Sequence, residues 1–285
     1  ALDVKEPISH FISEDWWPAD DPRRETTLES LLQMSDGLGF DEDYGPTGHV
    51  PQMLFTHPST AKFVADLPLR RSLEEEFPCF HYRSGTTNLV SYVLRQSFGE
   101  GPEAHHDYLR YPARKLFDPM HMRSALMETD ASGTFVGSSF SWMTARDWAR
   151  FGMLYLNDGM WPDAEGTRLL PEGWSEFSSA AAPTSEGHYG AHFWRGGSFN
   201  VTEEEKASSL VCDEVYPHRK WPTHDTLRQY PDGSYHAHGF EEQIVLVVPS
   251  HDVVVVRLGC TNELYSWNRG LLYKSIVETI PPSGA

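Results

Sequence analysis

Two runs near the C-terminal end, Gln243 to Pro249 and Val253 to Gly259, constrain the fold most. Each is almost wholly apolar, and a short turn, Ser250-His251-Asp252, joins them. Alternation of apolar and polar residues marks a strand with one wet face, whereas a continuous apolar run marks a strand covered on both. The pattern therefore predicts an antiparallel hairpin, a central pair in a sheet packed with helices. Phe193-Trp194-Arg195 and Leu210-Val211-Cys212 read as further strand pieces after about Pro183.

Upstream of Pro183 the apolar period becomes helical. Thr26 or Thr27 caps a helix from Leu28 to Ser35, with Gly37 as its stop. Ser59 to Leu67 is a second helix, ended by Pro68, and Gly85 to Phe98 a third, with Leu89, Val90, Val93 and Leu94 on one side. Leu109 to Leu116, Thr144 to Asn157 with Thr144 as cap, and Pro171 to Phe177 follow. Ser266 to Ile280 is a terminal helix stopped by Pro281-Pro282, and Ala1 to Pro22 reads as extended and irregular.

With 285 residues, 39% hydrophobic and 13% aromatic, the chain suits one large or two intimate packed domains. A net charge of -18 argues against nucleic acid or an anionic membrane surface as partner, because both would repel it. The acidic runs Glu74-Glu75-Glu76 and Glu203-Glu204-Glu205 read as solvated faces. Cys79, Cys212 and Cys260 show no metal or redox spacing; one disulfide or three isolated buried thiols both fit. No run reaches membrane-spanning length, and Ala1-Leu2-Asp3-Val4-Lys5 has no signal-peptide character. His188-Tyr189-Gly190-Ala191-His192 has a metal-like i, i+4 spacing, but Gly190 and its loop setting argue against a helix; it and the similarly unsupported His105-His106-Asp107 read as surface histidines.

Catalytic chemistry centres on Tyr82-Arg83-Ser84-Gly85-Thr86-Thr87-Asn88. A tyrosine, with a pKa of about 10, is a poor base until an ammonium stands beside it and stabilises the phenolate. A Ser-x-x-Lys pair on a helix supplies that charge and a nucleophile together, because residues i and i+3 share a face. The one literal match is Ser59-Thr60-Ala61-Lys62.

Several segments carry a resemblance to a known family. Thr26 to Leu38 is similar to an "LLtMtSGl" helix, Tyr82 to Leu89 to "YSSGTTNLL", Leu116 to Met122 to "LFxPLGM", and Thr144 to Gly152 to "TARDLARFG". In this order they resemble class C β-lactamase-like serine hydrolases, near the 6-aminohexanoate-dimer hydrolases, penicillin-binding proteins and related esterases. The resemblance implies an α/β (α+β) fold of β-lactamase/transpeptidase type. Residues 1–25 and 183–285 would form an antiparallel sheet flanked by helices, and 26–182 a mainly helical lobe. It implies hydrolysis of a small amide or ester through an acyl-serine intermediate, with Tyr82 as general base, Ser84 lining the pocket, and neither metal nor organic cofactor.

The family's Lys-Thr-Gly-like triplet falls on Ala237-His238-Gly239. Its lysine is absent, so His238 either contacts substrate or is satisfied by a neighbour, while Gly239 would let backbone approach the oxyanion. Relatives read "GxGGQ" where this chain has Gly239-Phe240-Glu241-Glu242-Gln243. In the family the nucleophile precedes the "LL" helix, and Ala1 to Ile8 resembles the stretch just after it. The serine and lysine are thus expected on an N-terminal segment or separate chain that completes the fold. A catalytically silent binding or scaffold protein is the alternative, and Ser59 with Lys62 as the true pair is a third reading. Periplasmic, secreted and cytoplasmic settings all remain open.

Overall fold

The computed structural model describes residues 2–70, 79–163, 166–198, 201–203, 212, 227–261 and 268–283. The chain folds into two compact units. The first comprises Ala1–Pro112, Leu126–Trp142 and Glu203–Lys220, and the second Ala113–Ala125, Met143–Thr202 and Trp221–Ala285.

Among the described residues the first unit contains the helices α1 (Leu28–Leu32), α2 (His49–Pro51), α3 (Thr60–Ala65), α4 (Ser84–Gln96) and α5 (Pro102–Pro112). Their starts follow side-chain chemistry. Thr27 and Ser30 form a reciprocal capping box at α1, and Ser59 accepts the Lys62 N–H at α3. Trp17, Leu31, Leu38, Phe40, Met53, Val64, Leu89 and Val93 form the buried core of this unit. The Trp17 indole N–H donates to the Ala65 carbonyl at 3.0 Å, which satisfies the one polar atom that ring carries inward. A two-stranded ribbon, β1 (Leu126–Met127) with β2 (Ser141–Trp142), completes the elements described there.

A disulfide joins Cys79 to Cys212 across 133 residues, and Cys260 is an exposed thiol outside that bridge. Of the two cysteine readings, the cross-linked one holds. A cross-link over so long a loop removes much freedom from the unfolded chain. Reduction, or Cys79→Ser, is therefore expected to cost about 2–4 kcal/mol of unfolding free energy. Urea unfolding with and without reductant measures it, and coincident curves would refute the expectation.

The second unit contains α6 (Ala145–Leu156), α7 (Trp174–Ser179), a sheet and α8 (Arg269–Val277). The sheet is antiparallel with order β3 (Trp194–Arg195), β4 (Tyr235–Gly239), β5 (Gln243–Val248) and β6 (Val253–Arg257). Thr144 caps α6 as expected, and Gly152 brings that helix onto the sheet: a Cβ there would lie 2.5 Å from a Val254 methyl. Phe193, Tyr235 and Val247 form a buried cluster with Phe151 and Tyr155 packed on it.

The hairpin exists with the expected arms, but only one arm is central. β5 is buried from Ile244 onward, whereas every β6 residue is half-exposed and β6 is an edge among the described residues. Apolarity predicts that a strand wants covering, not what lies beside it. Residues 188–192 also correct the sequence reading. His188 is fully buried with its Nδ1 2.9 Å from the Ser185 carbonyl, and burial lowers His192 to about 4. The His188 ring belongs to the interior of a loop and His192 is half-buried, and Gly190 between them lies so close to the Ser178 carbonyl that no side chain would fit. Residues 210 and 211, and both acidic triplets apart from Glu203, lie outside the described residues.

Candidate active site

Tyr82 lies in the extended segment leading into α4. Two devices hold it. Behind it, the Arg83 side chain is fully buried and 3.2 Å from the Asp36 carboxylate, itself fully buried. Arg83 also donates to the carbonyls of His81 (2.9 Å), Met34 (3.3 Å) and Leu38. Asp36 accepts from the Thr86 hydroxyl at 2.7 Å and the Leu38 N–H at 3.0 Å. Gly85 is required next, since a Cβ would lie 2.7 Å from Phe40 and from Val64.

The second device is Glu42, which sequence reasoning missed. Arg83, in the N-cap position of α4, offers no side-chain acceptor to the helix. Glu42 takes over that task from 42 residues away: it accepts the Ser84 N–H at 2.7 Å and the Ser84 hydroxyl at 2.6 Å. The Tyr44 hydroxyl donates to the same carboxylate at 2.8 Å. Burial raises the Glu42 pKa, with the Ser84 bonds opposing it. Only the polar loop 41–48 hinted at this role, and nothing in it ranks Glu42 above Asp41 or Asp43.

Burial first, then the Glu42 charge, pushes the Tyr82 phenol well above its ordinary range. Such a phenol holds its proton. It becomes a base only when a cation enters beside it and reverses the local field.

Ser59 and Lys62 come together, but as parts of a helix start. The Ser59 hydroxyl accepts the Lys62 backbone N–H, while the Lys62 ammonium pairs with Asp66 and lies 5.5 Å over the Trp16 ring.

His238 and Gly239 end β4 in the second unit. The His238 Nε2 is 3.5 Å from a Glu242 carboxylate oxygen that also takes the Arg269 guanidinium. Burial alone would raise the Glu242 carboxyl, but the His238 and Arg269 contacts outweigh it and hold it down at about 2. One step inward, His236 is fully buried and stacked on Tyr230 with ring centres 4.6 Å apart. Neither ring nitrogen has a hydrogen-bond partner among the described residues, and burial holds its pKa well below 6.5.

That histidine sets a pH dependence. Unfolding frees it to bind a proton below its unfolded pKa of about 6.5, while the folded ring stays neutral. Stability is thus full above pH 6.5 and falls as the pH drops from there toward the folded value, by up to about 1.4 kcal/mol per unit. His192 works in the same direction down to about 4. His236→Phe keeps the stack and removes the titration, so its urea midpoints at pH 7.5, 6.5 and 5.5 should fall less steeply than the parent's. Equal slopes would exclude His236 as the source.

No group of three or more potential metal ligands occurs among the described residues, and no helix among them is long and apolar enough to cross a membrane.

An antiparallel sheet with helices packed on it, and a tyrosine step heading a helix in the other unit, define a chain of the β-lactamase/transpeptidase fold. Residues 1–269 match the Beta-lactamase family model, and the chain belongs to that family. Among solved structures it is similar to a Bacillus anthracis protein provisionally assigned as a 6-aminohexanoate-dimer hydrolase. The TM-score is 0.67 at 18% identity, covering 98% of this chain and 68% of that one. It is also similar to a class C β-lactamase from Rhodobacter sphaeroides (TM-score 0.53, 14% identity, 97% and 77% covered). EstCE1, a hydrolase with promiscuous acyltransferase activity, aligns with a TM-score of 0.57 at 14% identity over 97% of this chain and 78% of its own. No curated protein matches the chain at a significant level.

Proposed function

We propose that the chain is the Tyr82-bearing part of a serine hydrolase that cleaves a small amide or ester through an acyl-serine intermediate. Tyr82 is its general base and relays the proton between serine, leaving group and deacylating water. The nucleophilic serine and the lysine that lowers the tyrosine pKa come from a segment outside residues 1–285. His238 borders the substrate, and Gly239 gives the backbone close access to it. The observation that carries this reading is the rigid mounting of the Tyr82-to-Ser84 step, with a buried ion pair behind it and Glu42 at the helix head. The hydroxyl of Ser59 and the ammonium of Lys62 are both engaged within or beside α3, which leaves that pair a structural task.

One observation favours a second reading, a family member that binds without turnover. The groups described around Tyr82 raise its pKa, which is opposite to what a base needs. A fluorophosphonate probe with peptide mapping separates the readings. A labelled serine outside residues 1–285, with hydrolysis of a p-nitrophenyl ester or nitrocefin, supports the hydrolase. Label on Ser59 moves the nucleophile into this chain. Absence of both label and turnover leaves the silent binder.

A further inference from the structure

Between β4 and β5 the backbone takes an uncommon conformation. Glu241 has φ 57 and Glu242 φ 70, two successive non-glycine residues in the left-handed region. Each costs about 1–2 kcal/mol relative to ordinary backbone. Strain of that kind persists only where the surroundings hold it, and here they do. The Arg257 guanidinium of β6 donates to the Glu242 carbonyl at 2.7 Å and to the Glu241 carbonyl at 3.3 Å.

The strained turn folds the Glu242 side chain inward, where only 3% of it is exposed. It meets the Arg269 guanidinium from α8 and the Nε2 of His238 from β4. His238 retains 18% side-chain exposure at the strand edge. The remaining ring near it is His236, 6.1 Å away between centres. A carboxylate held by arginine against one nitrogen of an imidazole fixes the tautomer and the ring plane, and leaves the other nitrogen to work.

We propose that Glu242 is a positioning residue: held by Arg269, it orients His238 so that Nδ1 is presented to the substrate. The inference rests on the reading above, in which His238 borders the substrate. With Nε2 3.5 Å from the Glu242 carboxylate oxygen, a proton on Nε2 is the favoured tautomer, and Nδ1 is then the acceptor for a substrate N–H or O–H.

The test is a double-mutant cycle with a spectroscopic arm. Glu242→Gly suits the left-handed backbone and removes the carboxylate; Glu242→Gln keeps the shape and removes the charge. With p-nitrophenyl butyrate, Glu242→Gly should lower kcat/KM about tenfold in the parent, the scale of a mispositioned group, and less than twofold in a His238→Ala background. Two-bond ¹H–¹⁵N spectra should show the His238 Nε2–H tautomer in the parent and a shifted ring pattern in both Glu242 variants. Equal losses in the two backgrounds, or a His238 pattern unmoved by Glu242→Gly, overturn the proposal. If the ring pattern moves while no ester is hydrolysed and no serine labelled, the orienting contact stands and the hydrolase reading falls. If the ester is hydrolysed and the losses are equal, the hydrolase reading stands and the orienting role falls.

Discussion

Tyr82→Phe is expected to cut acyl transfer by about 10²–10⁴-fold, the range for losing a general base, without unfolding the protein. The substitution removes one oxygen. The backbone around it is held by Arg83, Asp36, Thr86 and Glu42. Loss should appear in kcat as well as kcat/KM, because in the proposed role the tyrosine acts on the proton in flight and not on ground-state binding. Initial rates with a p-nitrophenyl ester, beside a circular dichroism spectrum of the folded variant, measure it. Rates equal to the parent's would remove Tyr82 from the mechanism. The raised phenol pKa, which favours the silent binder, sets a condition on this expectation. With Glu42 on one side, the phenolate forms only if an ammonium arrives on another.

The second large effect concerns stability. Arg83→Met should destabilise the chain by about 3–5 kcal/mol, since it strands the Asp36 charge in the interior. Both side chains are wholly inaccessible, and the guanidinium also serves three backbone carbonyls. Asp36→Asn should cost less than Arg83→Met, because the amide oxygen can still accept the Leu38 N–H and the Arg83 guanidinium keeps its three backbone carbonyls. Replacing both partners with apolar residues should recover part of the loss, as a buried pair is worth little net but costs much when halved. Urea unfolding of the two single variants and the double measures the order. A stable Arg83→Met protein would show that the pair is dispensable and that Tyr82 is mounted by other means.

Much of the molecule was legible in the chain itself. Thr144 with the apolar period behind it placed α6 almost to the residue, and Thr27 did the same for the start of α1. Capping and periodicity are local, so short stretches carry them. Other elements came out shifted. α7 begins at Trp174, after Gly173 in the left-handed region, with Asp158 accepting the Gly173 and Ser175 N–H groups. Pro171, the expected start, lies in the turn before it. The competing cap was fifteen residues upstream in sequence, beyond the reach of a local reading.

The remaining differences have one cause. Sequence alone determined the starts of α1 and α6, the apolar hairpin and the tyrosine step, because each depends on neighbours a few residues away. Tertiary structure alone decided that Cys79 meets Cys212, that β6 lies at the edge of the described sheet, that His188 is interior, and that Glu42 caps α4. These pairings join positions tens of residues apart, and the energy of a contact depends on distance in space. A one-dimensional pattern does not contain that distance until the chain has folded.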